Sequence, residues 1–275
     1  MNGEQLKKKL QAGGVVYGTM LSMSRNPRWA TPINDFGLDF VIIDSEHAPR
    51  GRSEISDLLT AFGSTGLVTI VRLPYPDGHR AAMELDAGAQ GVLAPYCETV
   101  QEAKDVAGSV KWRNLKGAYL KKVMDTGDLP SEETRAYLQE RNRNNICIIG
   151  IESVPGIENL PNILKVDGVD AIFVGPNDLS TSLGIPDKLQ HPDYEAALRK
   201  IISICRAQNV PVLIHHQTLE LTQKWLKEGA RFVLYSSDAR TIHNGFRRDF
   251  ESIKAVGKEI GGGSAKEVGE SQEVI

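Results

Sequence analysis

Four short apolar runs in this chain each end in residues able to move protons, hold a cation or steady an anion. They read FVIIDSEH (Phe40 to His47), VTIVRLP (Val68 to Pro74), IIGIES (Ile148 to Ser153) and AIFVGPNDLS (Ala171 to Ser180). Ionised groups are disfavoured in an apolar interior unless they have partners. Several of them terminating buried strands point to a shared rim rather than to a core. Glu152 ends one run, and Asp178 follows the next across a Gly-Pro turn. Adjacent strands lie about 4.8 Å apart, so two neighbouring runs bring both acids to one point. Two carboxylates there repel unless a proton or a cation sits between them. No Cys or His stands beside them in sequence, and the hard oxygen pair suits Mg²⁺ or Mn²⁺, with water or substrate filling the remaining positions. The plainer alternative is a pair of helix N-caps or loop salt bridges.

His47 follows Asp44 by three residues, and imidazole is the side chain best suited to proton transfer near neutral pH. A nearby carboxylate would orient the ring. Glu46, between the two, is an equal candidate for the working acid. Arg72 closes its run with a planar fork that suits a carboxylate or an enolate oxygen; an ordinary salt bridge at the strand end is the alternative. His215 and His216 end a further run and are expected to face the same rim, as candidates for an acceptor pocket or a metal. No lysine lies within residues 40–47, 68–74, 148–153, 171–178 or 210–216. A Schiff-base mechanism needs one, which leaves enolate stabilisation to a metal. No P-loop and no GxGxxG fingerprint is present, and the final run ends in SSDAR rather than a glycine-rich phosphate cradle.

The segments that carry these residues recur with a regular rhythm. Apolar, β-branched runs appear at VVYGTML, FVIID, LVTIVRL, GVLAPY, ICIIGIE, AIFVG, VPVLIH and RFVLYS. Their starts are mostly roughly 25 residues apart, the length of a strand–helix unit. Near-continuous apolar strands are what a parallel sheet buried on both faces demands. Helical spacing fills the gaps: Ile55, Leu58, Leu59 and Phe62 within 53–62, a capping box at Thr99-Val-Gln-Glu102, a stripe of Leu198, Ile201, Ile202 and Cys205, and a segment from Leu221 to Glu228 stopped by Gly229. These features predict an α/β fold, a single (β/α)8 TIM barrel over 1–260. An insertion around 97–145 is expected over the rim as a lid or subunit contact, with a ninth strand at Gly117 to Leu120 as the alternative. The glycine-rich, then acidic segment 261–275 is expected to be a disordered tail.

Composition agrees. The chain has 275 residues, 41% apolar content and a formal charge of -3, close to the roughly 250 residues of one such barrel. No basic patch interleaved with aromatics suggests nucleic acid, and no apolar stretch approaches the ~20 residues of a membrane span. The first residues carry no hydrophobic signal region. Cys97, Cys147 and Cys205 are isolated, which fits a reducing compartment. A cytoplasmic location is expected.

The segments IDSEHAPR, VRLP, LDAGAQGVLAPYCETVQEA, GIES and GPNDLSTSLGIP, in order between Gly18 and Asp238, together resemble the HpcH/HpaI aldolase family. Its members are metal-dependent pyruvate aldolases of the phosphoenolpyruvate/pyruvate barrel type. The resemblance implies that Glu152 and Asp178 bind a divalent metal, Mg²⁺ foremost and Mn²⁺ or Co²⁺ as alternatives. It implies that His47, paired with Asp44, is the general base and that Arg72 stabilises the enolate oxygen. Backbone N–H groups around Pro176 and Asn177 would hold the pyruvate carboxylate, and Asp86 would serve a neighbouring subunit's site in a homo-oligomer, typically a hexamer that exchanges a C-terminal helix. The expected reaction is reversible cleavage of a 4-hydroxy-2-oxo acid to pyruvate and an aldehyde, with small-molecule partners and neither nucleic acid nor membrane. Several positions depart from the family pattern: Gly150 replaces a glutamine, Ser153 a threonine, Ser45 a glycine and Met20 a tryptophan, and Lys116-Gly117 stands for arginine–glycine. The pocket lining therefore differs where the metal and base positions do not. A citrate lyase-like, citrate-forming or oxaloacetate-decarboxylating role on oxaloacetate or an acyl-CoA is the first rival. A non-catalytic metabolite-binding protein that has kept a metal site is the second.

Overall fold

A computed structural model describes residues 1–261. Eight parallel strands close into a barrel in sequence order, the last pairing with the first. They are β1 (Val16–Leu21), β2 (Phe40–Asp44), β3 (Val68–Arg72), β4 (Gly91–Ala94), β5 (Ile146–Gly150), β6 (Ala171–Val174), β7 (Val212–His216) and β8 (Phe232–Ser237). These are the eight runs expected from sequence. The helices are α1 (Gly3–Gln11), α2 (Ala30–Asn34), α3 (Arg52–Gly63), α4 (Gly78–Asp86), α5 (Val100–Lys111) and α6 (Gly117–Thr126). They continue with α7 (Glu132–Asn142), α8 (Val154–Ile163), α9 (Pro176–Ser182), α10 (Pro192–Ala207), α11 (Leu219–Lys227) and α12 (Asp238–Glu259). The tail expected beyond residue 261 lies outside the described residues.

Strand period two divides the apolar residues into two cores. Phe40, Ile42, Val68 and Ile70 belong to the barrel interior, and α1 closes its lower end with Leu6 and Leu10. Val41, Ile43 and Val71 face outward and pack with the helices. Inside, Phe40 meets Phe232 edge-on at 4.9 Å between centroids. Gly18 makes room for that ring, because a Cβ there would stand 2.5 Å from it. The inward parity that buries residues 40, 42, 68 and 70 carries on to Asp44 and Arg72, directly paired at the C-terminal ends of β2 and β3. The core thus fixes which polar residues enter the mouth of the barrel.

The Thr99 capping box forms both of its hydrogen bonds at the start of α5. The 97–145 segment departs from expectation in two ways. Residues 117–120 open helix α6 rather than a ninth strand. The insertion also packs along the flank of α5 instead of over the rim. Met124 and Leu120 press against Gly108, Lys104 pairs with Asp125 at 2.7 Å, and Trp112, Val123 and Leu138 form a small separate core. The physical reason is its apolar residues, which continue the outer face of α5 and have no counterpart at the charged mouth. Helix α12 buries only Asp238 and Ala239 of its own residues, leaving Phe246, Phe250, Ile253, Val256 and Ile260 exposed.

Truncation of Phe40 to Ala is expected to lower unfolding free energy by about 3–5 kcal/mol, measured by urea denaturation. A loss below about 1 kcal/mol would mean the ring does not support the barrel interior.

Candidate active site

Asp44 is fully buried at the end of β2. The Arg72 Nε donates to its Oδ1 at 2.8 Å, and Arg72 Nη2 lies 2.8 Å from Oδ2. Burial alone would raise the Asp44 pKa; the hydrogen bond and charge of Arg72 outweigh it and hold the carboxyl below its ordinary range. Arg72 remains firmly cationic, with burial outweighed by Asp44 and Glu46. A buried ion pair of this kind contributes little net stability, but losing one partner strands the other. Ser45 donates its hydroxyl to the Arg72 carbonyl at 2.6 Å and ties the two strand ends together.

This geometry corrects the expected Asp44–His47 pair. Asp44 is engaged by Arg72, and the acid nearest His47 is Glu46, with Nε2 3.7 Å from Oε2. The same Glu46 oxygen is 3.2 Å from Arg72 Nη1. Parity explains the difference: Asp44 still belongs to the inward set, whereas His47 stands in the loop beyond the strand. Burial and the Arg72 charge lower the His47 pKa, so the imidazole is neutral and able to accept a proton at pH 7. Burial, with Asp44 and Asp178, pushes Glu46 up to about 7 against the pull of Arg72.

Glu152 is 2% exposed. Its carboxylate lies between two glycines: a Cβ at Gly150 would be 2.4 Å from Oε1, and one at Gly175 would be 2.3 Å from Oε2. Among the described residues, Glu152 accepts one hydrogen bond, from the Tyr96 N–H at 3.3 Å. Tyr96 presents that group from a left-handed conformation, φ +51°, a strained state for a non-glycine residue and one that clusters at functional sites. Asp178 sits in the first turn of α9, and its carboxylate makes no hydrogen bond or ion pair among the described residues. The plainer cap reading of these acids does not hold. Helix α8 is capped by Ser153, which accepts from the Gly156 N–H, and α9 begins at Gly175 without a side-chain cap. Burial, then Asp178 and Glu46, push Glu152 up to about 8.

Two hard carboxylates, one buried with a single long hydrogen bond and the other unpaired, fit a divalent cation better than they fit each other. Among the described residues no group of three or more His, Cys, Asp or Glu is arranged to hold a metal ion. Glu152 and Asp178 would thus supply two oxygen ligands, with other positions left to water or substrate.

The pocket that Asp178 borders is lined also by His47, Arg72, His215 and Arg240, among others, while the buried Glu152 is not part of its lining. Larger clefts run along the outer helices and under the barrel, but none gathers the strand-end residues. Pro176 and Asn177 both line the pocket. Proline has no N–H, which leaves Asn177 and Asp178 as the backbone donors in the first turn of α9, where no helix partner exists. His215 is buried, 3.3 Å from the Ser236 carbonyl, and pushed down to about 3 by burial and Arg72, so it is neutral. His216 does not face the rim. It points outward between Tyr194 and the Trp225 ring, because only alternate strand residues enter the barrel. Asp86 lies outside its own chain's pocket, 61% exposed on the side chain and 3.1 Å from Arg113. Sequence reasoning missed Tyr96, Arg240 and Asp238. Asp238 accepts from the backbone N–H groups of Ser22, Met23, Ser24 and Ala239, pinning the β1 loop that borders the pocket. SSDAR carried that signal, since an acid at a helix start after a buried strand needs several donors.

The fold is a (β/α)8 barrel that gathers these charged residues at the C-terminal ends of its strands. The sequence profile of the family described as HpcH/HpaI aldolase/citrate lyase matches residues 19–245. A 2-dehydro-3,6-dideoxy-6-sulfogluconate aldolase of Pseudomonas putida is 31% identical over 221 residues, 80% of this chain and 86% of that protein. A 4-hydroxy-2-oxo-heptane-1,7-dioate aldolase of Salmonella arizonae is 30% identical over 244 residues, 87% and 90% of the two chains. The crystal structure of an HpcH/HpaI aldolase from Desulfitobacterium hafniense has a TM-score of 0.79 at 30% identity, covering 90% of this chain and 96% of that one. The chain belongs to the HpcH/HpaI aldolase/citrate lyase family, and with it to the carbon–carbon lyases.

Glu152 predicts a specific dependence of stability on pH. Its folded-state value of about 8 exceeds the ordinary 4.5. Its contribution is therefore full below about 4.5 and lost as pH rises through about 8. In thermal unfolding with chelator present, the Tm of the parent relative to Glu152→Gln should fall by several degrees between acidic and alkaline pH. Added Mg²⁺ should restore the parent at alkaline pH and leave the variant unmoved. A pH-independent difference would contradict the buried, proton-holding acid.

Proposed function

We propose that this chain is a class II aldolase that reversibly cleaves a 4-hydroxy-2-oxo acid to pyruvate and an aldehyde. The observation that carries the reading is the Glu152–Asp178 pair, two acids with no capping or salt-bridge role on the same rim as Arg72 and a neutral His47. A divalent cation held by the two acids, Mg²⁺ foremost and Mn²⁺ or Co²⁺ as alternatives, would supply Lewis-acid polarisation of the C2 carbonyl.

The chain's own residues account for the rest. The first-turn N–H of Asn177 orients the C1 carboxylate. His47 accepts the proton of the C4 hydroxyl as the C3–C4 bond breaks, and the aldehyde forms at C4. The electron pair of that bond passes toward the C2 oxygen, where Arg72 stabilises the developing charge; preorganised stabilisation of this kind commonly contributes more to catalysis than any other single effect. His47 then returns its proton to C3, giving pyruvate. Asp44 keeps Arg72 fixed and charged through these steps, while Glu46 bridges Arg72 and His47.

A homo-oligomer is part of the proposal. Among the described residues the apolar stripe of α12 has no partner, and a second copy is the occupant that would bury it. Asp86 would meet a neighbour's site only in such an assembly. The three cysteines are buried and unpaired, which supports a reducing, cytoplasmic setting.

His47→Ala and Glu152→Ala should each reduce pyruvate release from a 4-hydroxy-2-oxo acid by about 100-fold or more, measured by coupled pyruvate detection. Retained release in both variants sinks the assignment, and turnover of oxaloacetate alone would favour the decarboxylase rival. For the assembly, light scattering should return a mass several times that of one chain, with Phe250→Asp shifting it toward the monomer. A monomeric parent would rule out the oligomer.

A further inference from the structure

Tyr96 follows β4 across Pro95 and is one of four non-glycine residues with positive φ among the described residues. Two of the others, Asp187 and Asn209, are types that enter the left-handed region readily. A bulky aromatic at φ +51° is a different case. Its backbone is strained there, and such strain persists only where the surroundings over-determine it. Those surroundings are present. The Cys97 N–H donates to the Gly150 carbonyl at 2.8 Å, the Asn159 side-chain amide donates to the Glu98 carbonyl at 2.8 Å, and the Ser153 hydroxyl donates to the Glu98 carboxylate. The chain after β4 is thereby clamped to the end of β5 and the chain beyond it. None of these bonds uses the tyrosine ring, which is largely exposed.

The strained backbone has a local consequence. It turns the Tyr96 N–H toward Glu152 Oε1, the one hydrogen bond that this buried carboxylate receives among the described residues. The two carboxylate oxygens thereby become unlike. Oε1 lies on the Gly150 side, beside the Tyr96 N–H. Oε2 lies on the Gly175 side, where β6 passes into the helix that carries Asp178. A carboxylate with one oxygen engaged by a fixed N–H offers the other singly. Mg²⁺ demands a compact octahedral shell, whereas Ca²⁺ accepts a carboxylate through one or both oxygens at longer distances.

We infer that Tyr96 is a positioning residue whose left-handed backbone holds Glu152 so that Oε2 alone is offered to a cation, favouring small octahedral ions over Ca²⁺. A hydrogen bond to an ionised group is among the stronger ones a protein makes, which suits a single N–H to this task. The inference rests on the Glu152–Asp178 metal reading above and adds a residue and a selectivity to it.

The test varies backbone preference at position 96 and reads metal binding rather than turnover. Mn²⁺ affinity is measured by electron paramagnetic resonance on metal-free protein, and Ca²⁺ affinity by competition. Tyr96→Ile, β-branched and disfavoured at positive φ, should weaken Mn²⁺ binding by about 10- to 100-fold. It should also shift the ratio of Mn²⁺ to Ca²⁺ affinity toward Ca²⁺ by roughly 10-fold. Tyr96→Asn and Tyr96→Gly keep the N–H and accept the conformation, and should stay within about threefold of the parent for both ions. A merely structural role would lower the Tm of Tyr96→Ile and weaken both ions equally, and that result overturns the inference. So does an asparagine variant that loses as much Mn²⁺ affinity as the isoleucine one, because the ring and not the backbone would then matter. Should Tyr96→Ile fail to fold, Tyr96→Thr takes its place with the same expectations. A parent that binds no Mn²⁺ sinks the metal reading itself; a parent that binds it, beside a β-branched variant that binds it equally well, sinks only the role of Tyr96.

Discussion

Glu152 is a carboxyl group held out of water beside other acids, and the site is organised around that frustration. Barrel closure puts the ends of β5 and β6 side by side, glycines at 150 and 175 leave room for the side chain, and the Tyr96 N–H gives it one long hydrogen bond. None of these supplies a positive charge. A group so placed resolves its charge by holding a proton or by sharing a cation. The absence of capping partners for both acids makes the second outcome chemically useful, because the ion would remain open toward the pocket.

The neighbouring charges sharpen the same constraint. Arg72 is committed to Asp44 and Glu46, and His47 and His215 are both pushed toward neutrality by burial and by Arg72. Histidine therefore contributes little positive charge at pH 7, and the mouth keeps a surplus of acids around Glu152 and Asp178. The buried Arg72–Asp44 pair has a separate role. It fixes a cation near the centre of the barrel without neutralising the acids across from it. Arg240, in the first turn of α12 after β8, is the one other guanidinium bordering the pocket among the described residues.

Much of this was legible in sequence because a barrel strand is a simple object. Each apolar run that finished in Asp44, Arg72 or Glu152 became a strand with a charged residue at or just past its end. What the runs left ambiguous was parity and partnership. His215 and His216 are adjacent, yet one enters the pocket and the other packs outside against Trp225; a register shift of a single residue exchanges them. Asp44 and His47 have a spacing that suits a dyad, but the arginine on the next strand claims Asp44 first, a long-range contact that local spacing does not encode. The insertion misled for a related reason: its apolar residues match the outer face of α5, and only the assembled helix layer shows that face. Tyr96, Asp238 and Arg240 act through backbone conformation or through a missing partner, neither of which leaves a motif.

If Glu152 and Asp178 jointly hold one divalent cation, titration with Mn²⁺ followed by electron paramagnetic resonance detects it without any substrate or turnover. The parent should bind one tight Mn²⁺ per chain, competed by Mg²⁺, with that binding lost in both Glu152→Gln and Asp178→Asn. A tight site that survives both substitutions, or a parent that leaves all the Mn²⁺ in solution, would contradict the shared ion.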